Sequence, residues 1–295
     1  MSESVFNKLH TTWPELEVFV SVVDRLDARV AAHRQMDMKL LSSPLLVGLT
    51  YVVYRKGCQP NEPCRSEWPK LSQALAAGGN VRYLHIQSQQ DSTELYGIKI
   101  VSDSEPEEFP RLNLAGMHLP RLEELRIHVQ GMGGDWGDRA YPWDAENCDL
   151  FRDAIDCSRL HTLDFGNDNP KIFFSYFNGI LPALKSLRFG INKENDAASQ
   201  AARFISSAPP LESLDIDRAP RGIAQLWPVI ETHKDSLKHL VLRPTSGDWD
   251  RLEHISRTYL ETVAAGFPKL EHLGWHVPCK SNVSVSRSDV SMIMH

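Results

Sequence analysis

The chain has 295 residues, of which 42% are hydrophobic and 24% charged, and a formal net charge of −6. These proportions are ordinary for a folded soluble protein, and the acidic balance argues against general nucleic-acid affinity, which needs clustered basic charge. No apolar run reaches membrane-spanning length, and the opening MSESVFNKLHTTWPEL lacks the basic-then-apolar layout of a secretory signal, so a cytoplasmic or nuclear protein is expected.

Residues 1–12 are polar around one apolar anchor, Phe6, and read as a tail or partial cap. From residue 13 to 279 one spelling recurs, L-x-x-L-x-Φ, where Φ is a large apolar residue. Leu16-x-Val18-x-Val20 is a worn first copy, and Leu46-x-x-Leu49-x-Tyr51 and Val81-x-x-Leu84-x-Ile86 are looser ones. The clear copies begin at Leu122, Leu160, Leu184, Leu211, Leu237 and Leu270, and successive copies start 24 to 41 residues apart. A repeat of this kind cannot bury its apolar edge alone and must stack on its neighbours.

A breaker stands shortly before the leucine ladder of each copy from the second onward: Pro44, Gly79, Pro120, Ser158, Pro182, Pro210, Ser236 and Pro268. Such residues stop a helix and steer the chain into extended structure. Alternation then turns the later apolar positions inward and their neighbours outward. Helical spacing returns between strands. Trp68, Leu71 and Leu75 share one face ahead of Gly78-Gly79, and Leu150, Ala154 and Cys157 share another. Leu252, Ile255, Tyr259 and Val263 form a third, with Asp250 and Glu253 as a capping box and Gly266 as the stop. Residues 280–295, KSNVSVSRSDVSMIMH, carry no ladder and are expected to be disordered. The expected fold is α/β, a leucine-rich-repeat solenoid shaped as an irregular horseshoe, with a parallel inner sheet and outer helices.

The copies from Leu122 to Trp275 resemble the leucine-rich repeats of F-box-type and ribonuclease-inhibitor-like proteins. Segments such as Pro44–Tyr51 and Phe109–Leu114 are most similar to the proline-led repeats of fungal F-box/LRR-like proteins. The resemblance spans residues 13–278 and implies a substrate-recognition arm that works with ubiquitin-ligase components. Two departures weaken that implication. The ninth repeat position, usually Asn, reads Gln89, Gln130, Asp168, Asn192, Ala219, Thr245 and Pro278. Trp13-Pro14-Glu15-Leu16 is similar to the opening of an F-box, but the residues after it alternate like a strand where that module needs a helix.

The outward strand positions are where recognition is expected. The residue between the last two apolar positions reads Thr50, His85, Arg126, Asp164, Arg188, Asp215, Val241 and Gly274 from copy to copy. Two residues further on, the row reads Val52, Gln87, His128, Gly166, Gly190, Asp217, Arg243 and His276. Charge compensation across a solvated sheet accounts for such a pattern. A polar surface for a protein partner, built on His85, Arg126, Asp164, Arg188, Asp215 and Arg243, is the sharper expectation. Gly-Asp-Trp occurs twice just after a strand, so Trp136, Trp143 and Trp249 are further candidate anchors; tucking over the repeat core is their structural alternative.

His239 and His272 fall at the same repeat position on adjacent copies, so their rings are expected roughly 5 Å apart. Two ordinary surface imidazoles explain them, and no metal site or cofactor is expected. Cysteines at 58, 64, 148, 157 and 279 show no Cys-x-x-Cys pairing and read as reduced thiols. Gly-x-Ser-x-Gly, His-Glu-x-x-His and a phosphate loop are all missing. A non-enzymatic protein-binding module is therefore expected. The competing reading is an enzyme or small-ligand binder with a site in a His/Arg/Asp-lined concave face.

Overall fold

The computed structural model describes residues 3–13, 15–26, 43, 45–55, 73, 75, 80–90, 118–119, 121–130, 145–191, 196–243 and 257–275. The chain is α/β and divides into two compact units, residues 1–161 and 162–295.

The first unit holds helix α1 (Glu3–Thr12), strands β1 (Val18–Leu26), β2 (Leu46–Arg55), β3 (Tyr83–Gln90) and β4 (Glu124–Gln130), and helix α2 (Ala145–Ala154). Its strands run parallel and pair in chain order. Helix α1 was not anticipated from the polar spelling of residues 1–12. The strand at β1 agrees with the alternation after Leu16, and it occupies the stretch where an F-box would place a helix.

The ladder's leucines explain the register. Leu49, Leu84 and Leu125 are paired across β2, β3 and β4, as are Tyr51, Ile86 and Ile127, and all six are buried. Each such side chain contributes about 1.5–3 kcal/mol through burial. The first copy departs from this rule. Leu16 is exposed, whereas Leu45 and Leu46 are buried, and the register shifts between Val18 and Phe19. Phe19 instead turns to solvent at 63% exposure and lies 5.9 Å from the Tyr83 ring. It crosses directly over Gly48, where a Cβ would collide with its ring.

On α2 the buried face is Cys148, Phe151 and Ala154, followed by Ile155. Leu150 and Cys157, expected on that face, are only half-buried. The Phe151 ring is the larger apolar group and takes the inward position. Trp68 and Leu71 lie outside the described residues, while Leu75 is helical and buried.

The second unit holds β5 (Thr162–Asp164), β6 (Ser186–Gly190), β7 (Ser213–Asp217), β8 (His239–Leu242) and β9 (His272–Trp275). Again every strand is parallel to its neighbour in chain order. Parallel neighbours need a crossover; helices α3 (Lys171–Tyr176), α4 (Ala197–Ser207), α5 (Ile223–Glu231) and α6 (Arg257–Gly266) lie in the connections. Leu163, Leu187, Leu214, Leu240 and Leu273 form one continuous register row.

The helices close the other side with apolar side chains: Phe173 and Phe174 on α3, then the periodic face Ala197, Ala198, Ala201, Phe204 and Ile205 on α4. Helix α5 buries Ile223, Leu226, Trp227 and Ile230 despite Pro228 in its interior; the proline side chain is exposed, so its ring needs no room in the core. On α6, Val263 is buried and Tyr259 lies 4.6 Å from the Trp227 ring; Leu252, Ile255 and the Asp250–Glu253 pair lie outside the described residues.

One glycine positions the turn after β5. The Gly190 N–H donates to the Asp168 carbonyl at 2.7 Å, and a Cβ at Gly190 would overlap the Asn167 backbone carbonyl. Backbone cannot yield as a flexible side chain does, so Gly190→Ala is expected to cost about 1–3 kcal/mol. A urea midpoint equal to that of the parent would contradict this close approach.

Candidate functional site

The solvent-facing side of the second unit's strands gathers charge. Register pairing places Asp164 beside Arg188, Arg188 beside Asp215, and Asp215 beside Val241. One step along, Gly190 stands beside Asp217, and Arg243 follows directly after β8, its N–H donating to the Ile216 carbonyl at 2.8 Å. Alternation therefore sends Asp215, Asp217 and Arg243 to the same side as Asp164 and Arg188. Because Gly190 has no side chain, Arg188 can reach diagonally to Asp217.

The five side chains form one network. Arg188 lies 3.9 Å from Asp164, 3.5 Å from Asp215 and 3.7 Å from Asp217. Arg243 donates to Asp215 Oδ2 at 2.8 Å and to Asp217 Oδ2 at 3.5 Å. Asp164 also accepts from the Gly166 N–H at 2.8 Å. The carboxylates form the floor, 13–17% exposed, and the guanidinium groups lie nearer solvent at 36% and 40%.

Burial pushes the Asp215 and Asp217 carboxyls above the ordinary value, and Arg243 and Arg188 pull them partly back. The network is also incomplete: Asp215 Oδ1 and Arg188 Nε are buried and take no hydrogen bond among the described residues.

A second ladder was not read from the sequence. It sits immediately after the first apolar position of every copy but the second, which has Val47: Glu17, Arg82, Glu123 and His161 in the first unit, then Lys185, Glu212, Lys238 and Glu271 in the second. The Lys185 carbonyl accepts the N–H groups of both Glu212 and Ser213, and the Glu212 carbonyl those of Lys238 and His239. This holds the charges over one another. Arg82 pairs with Glu17 and lies 3.8 Å from Glu123. Glu212 bridges Lys238 at 2.7 Å and Lys185 at 3.2 Å. Its hydrogen bond from Lys238 and then that from Lys185 hold its carboxyl below the usual range, and the Glu212 bond raises the Lys238 ammonium. The signal was legible as alternating charge one residue after the first apolar position, clean from Lys185 to Glu271 and broken at Val47 and at the step from His161 to Lys185.

In the first unit His85 is the register partner of Arg126. Arg126 turns back to Glu124 on its own strand at 2.6 Å, while His85 Nε2 meets His128 Nδ1 at 3.2 Å. In the second unit the His239 and His272 rings are 6.0 Å apart and tilted by 34°, about 1 Å wider than parallel-strand spacing alone suggests. Trp136, Trp143 and Trp249 lie outside the described residues.

Among the described residues no group of three or more His, Cys, Asp or Glu is placed to hold a metal ion. Cys148 is buried and Cys157 half-buried. Burial, with Asp156 beside it, pushes the Cys157 thiol up to about 11, far from the thiolate a nucleophile needs. No described helix is long and apolar enough to cross a membrane. No protein-family model, curated protein or solved structure matches this chain.

Proposed function

We propose that this chain is a non-enzymatic leucine-rich-repeat module that binds another protein through the outward charges of its parallel strands. The register of the repeated leucines supports the repeat reading, since each copy supplies one strand to a sheet ordered as the chain is ordered. The observation that carries the binding reading is the network of Asp164, Arg188, Asp215, Asp217 and Arg243.

Such a network is a poor device for stability alone. Desolvating three carboxylates costs free energy, and a partly satisfied polar cluster is worse for folding than simple packing. Its two guanidinium groups are held in place from beneath and half-open to solvent, the arrangement that presents planar donors to a partner. The same resemblance that suggested F-box/LRR-like proteins makes a target protein of a ubiquitin ligase, or a ligase component, the first partner to look for. The absence of any Cys-x-x-Cys spacing among the five cysteines supports a reducing compartment, the cytosol or nucleus.

Affinity capture from native cell extract tests the proposal. Breaking a buried charge contact at an interface costs 2 kcal/mol or more, so Arg188→Glu is expected to weaken retention of the specific partner at least about thirtyfold. Circular dichroism of the variant confirms that the fold persists. Recovery of an identical partner set by parent and variant would remove this face from the function.

A further inference from the structure

Two histidine pairs span neighbouring strands, and they differ in what they leave open. His85 and His128 are half-buried and closed on each other, nitrogen to nitrogen at 3.2 Å. His239 and His272 are register partners on β8 and β9, both exposed to solvent. We propose that His239 and His272 chelate one divalent transition ion of the zinc, nickel or copper class.

Neutral imidazole is the side chain these ions share as a preferred ligand. With metal–nitrogen bonds of about 2.0–2.1 Å, two imidazoles on one tetrahedral ion have ring centres roughly 5 Å apart. The observed centres stand 6.0 Å apart. Closing that gap of about 1 Å needs only side-chain rotation, which exposed rings can make between staggered wells. The strands themselves do not have to move, because parallel pairing already fixes the two backbones side by side.

The neighbouring ammonium is already paired. Lys238, which precedes His239, has its ammonium drawn to Glu212 at 2.7 Å, and Glu271 adds a carboxylate near the same ammonium. Ser213, the register partner of His239 on β7, places a small side chain beside the pair. Two protein ligands leave the remaining coordination positions to water or to a donor from another molecule. The inference stands apart from the protein-binding proposal, since it uses neither Arg188 nor its carboxylates.

Calorimetric titration of the full chain with zinc sulfate, and separately with nickel chloride, is the test. One ion per chain is expected to bind saturably. Chelation makes the second ligand's attachment intramolecular, so His239→Gln and His272→Gln should each weaken binding about a hundredfold, with the double variant little worse than either. His85→Gln should leave the affinity unchanged. Zinc should also shift the ring resonances of His239 and His272 in the unaltered chain, a readout that does not depend on any variant folding. Absence of saturable binding, unshifted His239 and His272 resonances, or equal affinity in the parent and the double variant would overturn the site.

Discussion

Phe174→Ala is expected to lower the stability of the second unit by about 3–5 kcal/mol, the range for deleting a fully buried aromatic ring. Phe174 comes from α3, a helix of only six residues, too short to hold itself in water. What fixes the helix is the ring's setting. Phe174 meets Phe204 of α4 in a stacked pair at 4.4 Å, Phe189 of β6 edge-on at 5.2 Å, and Phe165 edge-on at 6.0 Å.

One side chain thereby joins the segment after β5, strand β6 and helix α4, and its removal leaves a void bordered by three rigid rings that cannot collapse into it. Edge-to-face and stacked contacts each add about 0.5–1.5 kcal/mol beyond area alone. Phe174→Leu keeps most of the volume and should cost less than half as much. Urea denaturation of both variants against the parent checks the ordering; equal midpoints for Phe174→Ala and the parent would show that this cluster does not hold the unit together.

The strands were far more legible than the helices, for a physical reason. A ladder leucine must face inward on every copy, so its spacing survives in the chain, and Leu163, Leu187, Leu214, Leu240 and Leu273 line up as that spacing requires. The outward row of Asp164, Arg188 and Asp215 was equally readable, because alternation leaves a residue between two buried ones nowhere else to point. Asp217 and Arg243 stood in the second outward row; what the rows did not reveal is that the two rows join into one network, because Arg188 reaches Asp217 diagonally past Gly190.

The helices were obscured by local exceptions. Pro228 masks α5, whose buried face is nevertheless periodic, and the phenylalanines of α3 are too few to display a period. Helix α1 is polar enough to pass for a tail. Leu16, read as the opening of a worn first copy, is exposed, whereas Leu46 of the next copy is buried together with Leu45, and β1 shifts register beside them. The His85–His128 contact depends on a diagonal between strands rather than on a shared repeat position, so spacing alone could not find it.

His233→Ala is expected to cost about 2–4 kcal/mol, because the imidazole is buried and both its nitrogens are bonded. His233 is buried, just beyond α5, and its ring joins three elements. The Leu211 N–H donates to Nδ1 at 3.2 Å, so Nδ1 must be unprotonated and Nε2 carries the hydrogen, donating to the Ile205 carbonyl at 3.1 Å. Ser236 braces the same corner, its hydroxyl donating to the Leu211 carbonyl at 2.7 Å.

Truncation strands the buried Leu211 N–H, which costs about 1–3 kcal/mol, while the Ile205 carbonyl loses one of two partners and keeps the Ala208 N–H at 3.1 Å. His233→Asn can return an acceptor near Nδ1 and His233→Gln a donor near Nε2, so each should recover part of the loss. Acid offers the same test without a variant. Burial lowers the His233 pKa below its ordinary 6.5, partly offset by the bond to the Ile205 carbonyl. A folded-state value below the unfolded one means that the stabilisation is complete above 6.5 and declines as pH falls through the folded-state value.

Asp215 and Asp217 act in the opposite sense at lower pH, since their folded-state values lie above the ordinary 3.8: protonation favours the folded form as acid is added. The difference in melting temperature between parent and His233→Asn isolates the imidazole. That difference should be largest above pH 6.5 and shrink as acid is added. A difference that stays constant through that range would mean the ring is not held neutral between Leu211 and Ile205.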